Sequence, residues 1–301
     1  MKSIIKNAMT TLGFDPDAIT SLERDGDLLF AVGSRAQLFR ACKSAYEADH
    51  TTLNEACLDQ ISNLAKESGV SPYSAHLLLF LLLSEPLREK YRDRGIDDTV
   101  WHNSMLDLKW KLWECRAVKG IWGTFVPHWF LGFFHMTRFA LGRLQFEIVP
   151  CKGIYEKDGI RLTTESDVIN VHIPRTCTPL DRESCLDAYR QASRFFQDHF
   201  QHSPMAFVCH SWLLYPPTKE LLSPRSNIRT FMEDYDVIFQ MEDPDGKRPN
   251  AWRLFDMDDT GNVEDYPEDS SLRRAFKEHL RRGGKMGSGY GVFLASTKSF
   301  L

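Results

Sequence analysis

The chain lacks the cysteine pattern of a disulfide framework. Its seven cysteines are an odd number, and no two are spaced C-x-x-C. Free thiols in a reducing compartment are expected, and with them a cytoplasmic protein. No pair of cysteines or histidines has ligand spacing supported elsewhere in the chain, so no metal site is expected. Long apolar runs are missing too. The one apolar stretch, residues 76–84, is too short to span a bilayer. The N-terminus MKSIIKNAMTTLGFDPD is too polar and broken for a signal peptide. An excess of positive charge is absent: the formal net charge is −4, which gives no drive toward nucleic acid or an anionic membrane. Glycine is absent from the turn at 175–184. Gly287, Gly289 and Gly291 precede a strand instead of opening a helix, which excludes a dinucleotide or P-loop fingerprint. A flexible or bulged edge strand is expected there. DMDDTGNVED lacks the full calcium-loop spacing and reads as an acidic surface loop.

What is present is a globular composition. The 301 residues are 43% apolar and 26% charged, enough for one large domain or two ordinary ones. Helical spacing dominates to about residue 115. Patterns over 34–48, 53–68 and 71–83 follow two shorter helices, and LLLFLLLSEPL, apolar on every side, is expected to be a buried central helix. His50 and His76 read as ordinary helix or loop histidines. From 99 to 138 the chain is rich in aromatics, among them Trp101, Trp110, Trp113, Trp122 and Trp129. They are expected to form a packed seam, with a hydrophobic slot for an acyl chain or another flat ligand as the alternative. A second helix is expected to resume after Gly120 and run to Gly142.

After Gly142 the period changes from helix to strand. Leu144, Phe146 and Ile148 alternate with Arg143, Gln145 and Glu147, which gives a charged face and a packing face. Arg143 and Glu147 pairing on a solvent-facing edge is one reading of that charged face. Asp158-Gly159 signals a hairpin. Residues 168–173 alternate as a strand stopped by Pro174, with Asn170 and His172 on one face. A polar turn follows, then a helix to about 199 and a second strand over 205–215. This strand–turn–helix–strand order sets a helix N-terminus beside a strand end, where backbone N–H groups favour an anion such as a phosphate. Further on, residues 226–235 read as a capped helix, 236–241 and 251–256 as strands, and SSLRRAFKEHLRR as a capped basic helix.

LGRLQFE (141–147), VHIP (171–174), ASRFFQ (192–197), CHSWLL (209–214), SNIRTF (226–231) and DLKWKLWECRAVKGIWGTF (107–125) together carry a resemblance. The chain resembles a bacterial family of two-part acyltransferase-like proteins, with a helical N-acyltransferase-associated domain followed by a GNAT-like domain. The resemblance implies an α+β fold, with a helical domain over 1–120 and a GNAT-like mixed sheet flanked by helices over 121–301. It implies acyl-CoA as co-substrate, no tightly bound cofactor, and an opening between two neighbouring parallel strands, 168–173 and 205–213. Backbone groups at Val171 and Ile173 would hold the pantetheine. Arg175, Arg182 and Ser184 would meet the pyrophosphate, although the usual [QR]-x-x-G-x-[GA] loop is not there.

Acyl transfer to an amine needs a base, an oxyanion stabiliser and an acid for the leaving thiolate. Glu147 and His172 are the candidates for the base. His210 and Tyr215 are the candidates for polarising the carbonyl or protonating the thiolate. Cys209 is either an acyl-accepting nucleophile or, more ordinarily, a buried structural thiol. The leading expectation is CoA-dependent N-acyl transfer to a small molecule, with no nucleic-acid or membrane partner. The alternatives are a non-catalytic ligand-binding protein, favoured by the missing glycines, and a module whose helical half docks a partner protein.

Overall fold

The computed structural model describes residues 1–295. It divides into two compact units, Met1–Ala140 and Leu141–Leu301. The division falls at 140/141, later than the expected 120/121, because the last helix of the first unit packs on that unit's central helix. Residues 296–301, included in the expected second domain, lie outside the described residues.

The first unit is seven helices: α1 (Lys2–Thr11), α2 (Pro16–Phe30), α3 (Gly33–Ala48), α4 (Glu55–Glu67), α5 (Pro72–Asp93), α6 (Asp98–Lys119) and α7 (Pro127–Phe134). Side-chain caps start three of them. Asn54 accepts from Cys57 N, Ser71 from Tyr73 N and Asp97 from Thr99 N. Every residue from Ala75 to Ser84 on α5 is buried, and the other six helices all pack against this one. The expected helix ended at 83, yet α5 runs through Pro86. Leu87, the next residue, and Tyr91, a turn beyond it, are buried, and that packing outweighs the proline's missing donor. His76 is a core histidine, with Nε2 3.0 Å from Leu58 O and 3.0 Å from Ser62 Oγ.

The aromatic stretch finds partners inside the first unit. Trp101 Nε1 donates to Ser84 O, Trp113 Nε1 to Asp15 and Trp129 Nε1 to Asp107. Phe130 and Phe134 pack on Phe80 with ring centroids 4.9 and 5.2 Å apart. The helix expected to reach Gly142 stops at Phe134, and a strand, β1 (Arg138–Leu141), follows. Met136 lies between them at φ 56°, a left-handed conformation that no helix continues through.

The second unit contains β2 (Leu144–Pro150), the hairpin β3 (Tyr155–Lys157) and β4 (Ile160–Leu162), β5 (Asp167–His172), α8 (Arg182–Phe195), β6 (Ala206–Ser211), α9 (Asn227–Met232), β7 (Asp236–Glu242), α10 (Ala251–Phe255), α11 (Ser271–Arg281) and β8 (Gly287–Leu294). Asp158 and Gly159 at the hairpin turn have φ of 52° and 77°, as a two-residue type I′ turn demands. Within this unit the sheet order is β2-β5-β6-β8-β7. The β5–β6 pair is parallel and the others are antiparallel. One face packs Phe146, Phe207 and Phe293 against Tyr189 of α8. The other packs Val168, Val208, Tyr290 and Val292 under Cys151, Tyr155 and Leu162.

Two expectations change here. Residues 251–255 are a helix and not a strand, because Ala251, Leu254 and Phe255 bury at i, i+3 and i+4. The glycine-rich strand β8 is interior, between β6 and β7, and β7 is the edge. Its glycines make room for main chain. A Cβ on Gly289 would lie 2.2 Å from Leu214 O, and one on Gly287 2.5 Å from Met241 O. The bulge is on β7, between Val237 and Phe239.

Candidate active site

The parallel ladder between β5 and β6 carries Ile169↔Phe207 and Asn170↔Val208 and, among the described residues, ends there. Both strands continue, to His172 and Ser211. Past Asn170 their facing edges are therefore not joined, which leaves an opening at their C-terminal ends. In open sheets with a parallel pair, that end is where ligands bind. β6 stays paired with β8 as far as Ser211 and then runs straight into a tight turn, Trp212–Leu214, held by Ser211 Oγ accepting from Leu213 N at 3.2 Å. That turn sits on the bare backbone of Gly289.

A polar cluster lies beside the opening. The antiparallel register sets Glu147 opposite Asn170 and Gln145 opposite His172. Glu147, Asn170 and His172 thus share the sheet face away from α8. His172 Nε2 is 2.6 Å from Glu147 Oε1, and Asn170 Nδ2 donates to the same oxygen at 3.1 Å. The side chains of His172 and Glu147 are 21% and 15% exposed. Burial on that scale keeps the contact out of bulk water while leaving the ring reachable. With Nε2–H donating to the carboxylate, the neutral imidazole carries its lone pair on Nδ1. In that tautomer the pair could serve as an oriented base, with the ring taking a proton on Nδ1 and holding the charge beside Glu147; Asn170 Nδ2 also lies 3.1 Å from the same Nε2.

The structure therefore brings together the two residues singled out as the base. Asn170 was legible as a neighbour of His172 on the same strand face, but its bond to Glu147 depends on the register between strands. Arg143 does not pair with Glu147. Its guanidinium donates to Pro174 O at 3.0 Å and Pro179 O at 3.1 Å, so it ties down the turn after β5.

His210 lies one strand over, on the same sheet face as Val208. Its Nε2 is 3.0 Å from Ser288 Oγ, and its ring is flanked by Tyr290 and Phe239. Burial, aided by Lys152, holds its pKa below the usual histidine value. Tyr215 is not brought to the Glu147–His172 pair. Its hydroxyl donates to Glu242 Oε1 at 3.2 Å, and burial together with that carboxylate pushes its pKa up. Cys209 is buried on the α8 side, and burial alone raises its thiol well above the ordinary range. It has the character of a structural thiol.

Val171 is buried in β5, and Ile173 follows the strand's last residue. At the next turn Asp181 caps α8, accepting from Ser184 N at 2.8 Å. That bond holds the Asp181 carboxyl below its usual range. Arg175 makes a forked pair with Asp256, and Arg182 pairs with Asp234. Neither partner was legible beforehand, since Asp234 and Asp256 are far along the chain. Among the described residues no group of three or more His, Cys, Asp or Glu is placed to hold a metal ion. Nor is any helix there long and apolar enough to cross a membrane.

Residues 139–293 match the model of the GNAT-like C-terminal domain, and residues 4–136 that of the N-acyltransferase N-terminal domain. The chain belongs to this two-part GNAT-like family. The expected helical half and mixed sheet are both present. No curated protein matches the chain. Solved structures do share the fold. An acyltransferase mutant in complex with octanoyl-CoA superposes with a TM-score of 0.72 at 21% identity, over 96% of this chain and 86% of that one. An acyltransferase in complex with decanoyl-CoA and teicoplanin gives 0.65 at 20% identity, over 96% and 99%. A third, with CoA and 10C-teicoplanin, gives 0.66 at 19%, again over 96% and 99%. At identities this low the likeness is one of fold alone.

Proposed function

We propose that this GNAT-like protein transfers an acyl group from acyl-CoA to the amine of a small molecule. The observation that carries the reading is the opening between β5 and β6 with the Glu147–His172 pair at its edge. The acyl-CoA ligands of the structurally similar acyltransferases support the donor class. In this reading the pantetheine arm lies in the opening, bonded to backbone groups at Val171 and Ile173. Arg175 and Arg182, with side chains 48% and 46% exposed, and Ser184 meet the diphosphate. His172, positioned by Glu147, takes a proton from the acceptor ammonium. The freed amine attacks the thioester carbonyl, the C–S bond breaks, and the CoA thiolate takes a proton. His210, two residues past Val208 on the same face, supplies a hydrogen bond or that proton in this reading. The free thiols fit a reducing, cytoplasmic setting.

A second reading is a non-catalytic ligand-binding protein on the same fold. Asp181 at the α8 N-terminus favours it, because a carboxylate already occupies the place a phosphate would take. Thermal-shift titration with acetyl-CoA, decanoyl-CoA and free CoA separates the two. Saturable stabilisation by an acyl-CoA is expected, and about 2.7 kcal/mol should accrue at a hundredfold excess over Kd. No shift at millimolar concentrations of all three would reject the enzyme reading and leave the second.

A further inference from the structure

Two of the seven cysteines are neighbours in space. Cys42 stands in the second half of α3 and Cys57 in the first turn of α4, and their sulfur atoms are 3.6 Å apart. Both side chains are partly exposed. Of the other five, Cys115, Cys151, Cys185 and Cys209 are buried, and Cys177 is exposed. The backbone under each sulfur is fixed. Cys42 lies inside a hydrogen-bonded helix, and Cys57 N donates to the Asn54 cap at 3.1 Å. The segment between the helices is held as well, by Asp49 accepting from Thr51 N and by His135 Nε2 at 2.7 Å from Leu53 O. α3 and α4 each pack on α5, so the two thiols face each other across helices secured by a common neighbour.

We infer that Cys42 and Cys57 form a redox-responsive dithiol, which hydroperoxides or low-molecular-weight disulfides convert to a disulfide bridging α3 and α4. The sulfurs need to close from 3.6 Å to the bonding distance of about 2.0 Å, a movement within reach of side-chain rotation. The pair also has the asymmetry such chemistry uses. Cys57 S–H donates to the Cys42 sulfur, which holds Cys42 below the ordinary thiol pKa, while Cys57 is held up by that same bond. Cys42 is thus the attacking thiolate and Cys57 the resolving thiol.

With a hydroperoxide, the Cys42 sulfur attacks the terminal oxygen, the O–O bond breaks, an alcohol leaves, and Cys42 becomes a sulfenic acid. The Cys57 sulfur then attacks the Cys42 sulfur, the S–O bond breaks, and water leaves. Two thiols are oxidised by two electrons and one hydroperoxide is reduced. With a small disulfide the same bridge forms through a mixed disulfide at Cys42, releasing two small thiols.

The test is peroxide titration of the reduced full-length protein, followed by intact-mass measurement and peptide mapping under non-reducing conditions. The expected result is a loss of about 2 Da with the Cys42 and Cys57 peptides joined, reversed by dithiothreitol. A closed loop of this size should raise the Tm of the first unit by roughly 10 °C. Cys42→Ser and Cys57→Ser should each abolish both changes, and Cys57→Ser should leave Cys42 trapped as a sulfenic acid reactive toward dimedone. Exposure alone predicts something different, namely oxidation first at Cys177. Oxidation confined to Cys177, or a 2 Da loss that maps to any other pair, overturns the inference.

Discussion

Gly289→Ala tests the structural account of the opening most directly. A Cβ at this position would lie 2.2 Å from Leu214 O, 2.8 Å from Leu214 C and 3.3 Å from Leu214 Cβ. The two nearest atoms are main chain and cannot rotate away. Relief requires the Trp212–Leu214 turn to lift or β8 to shift, and β8 is held on both sides through Ser211↔Gly289 and Gln240↔Gly289. Alanine recovers about 0.5–1 kcal/mol over glycine by restricting the unfolded chain. Overpacking costs about 1–3 kcal/mol, and a lost ladder bond adds about 1 kcal/mol. The expected net is a loss of about 2 kcal/mol. Because the protein has two units, the readout should be local, by amide hydrogen exchange of β6 and β8 beside urea unfolding. Gly33→Ala is the control, since nothing lies within 4 Å of its Cβ and it opens α3. It should be neutral or stabilising by a few tenths of a kcal/mol. Unchanged protection of β6 and β8 in Gly289→Ala would refute the close approach of the turn to the strand.

Two further predictions concern single histidines and their partners. Once an acceptor is in hand, His172→Gln should lower kcat by about 10²–10⁴-fold with little change in acyl-CoA binding. Glu147→Gln should fall less and shift the pH–rate profile, because it leaves the ring in place and removes the charge beside it; equal, pH-independent losses would argue for a merely structural pair. Burial holds His76 below its ordinary pKa, with Nδ1 buried and without a hydrogen-bond partner. A depressed folded pKa gives stability that is present above about pH 6.5 and lost as pH falls, by at most about 1.4 kcal/mol per pH unit. Urea midpoints between pH 7 and 5 should fall more steeply in the wild type than in His76→Gln.

The central helix was legible because LLLFLLL has no polar face to give to water, and the structure buries it on every side. The strand–turn–helix–strand unit was legible because β5 alternates and then meets Pro174. What escaped was decided by contacts remote in sequence or by single backbone angles. Met136 ends a helix by its φ and not by its side chain. Residues 251–255 are mostly apolar and too short to show a period, and their helical spacing emerges only where Ala251, Leu254 and Phe255 bury, Phe255 stacking on Tyr266 at 4.1 Å. The site divides in the same way. Glu147 and His172 could each be placed on a strand face from parity. That they meet depends on the register setting Glu147 opposite Asn170, which no local pattern encodes.

The two arginines at the turn after β5 are not equivalent, and the difference bears on how a coenzyme diphosphate could be held. Arg182 pairs with Asp234, whose side chain is only 2% exposed. Drawing that guanidinium away weakens a charge-assisted contact to a carboxylate that is out of water, which costs more than weakening one at the surface. Arg175 pairs with Asp256, which also accepts from Arg273, and Arg273 is bonded in turn to Asp269. Asp256 therefore keeps a cation when Arg175 leaves. Desolvation opposes the charge on Asp256, yet the guanidinium pairs prevail and hold its carboxyl below the usual range. Arg175 can thus exchange a carboxylate for a phosphate at small cost, and Arg182 only at a larger one. Arg175→Gln should weaken CoA binding by about tenfold, as for one charge-assisted contact, with little effect on unfolding. Arg182→Gln should act mainly on stability. Calorimetric titration of CoA into both variants, with urea melts alongside, separates the roles; a reversal of the two would place the diphosphate on Arg182 and remove the basis for this assignment.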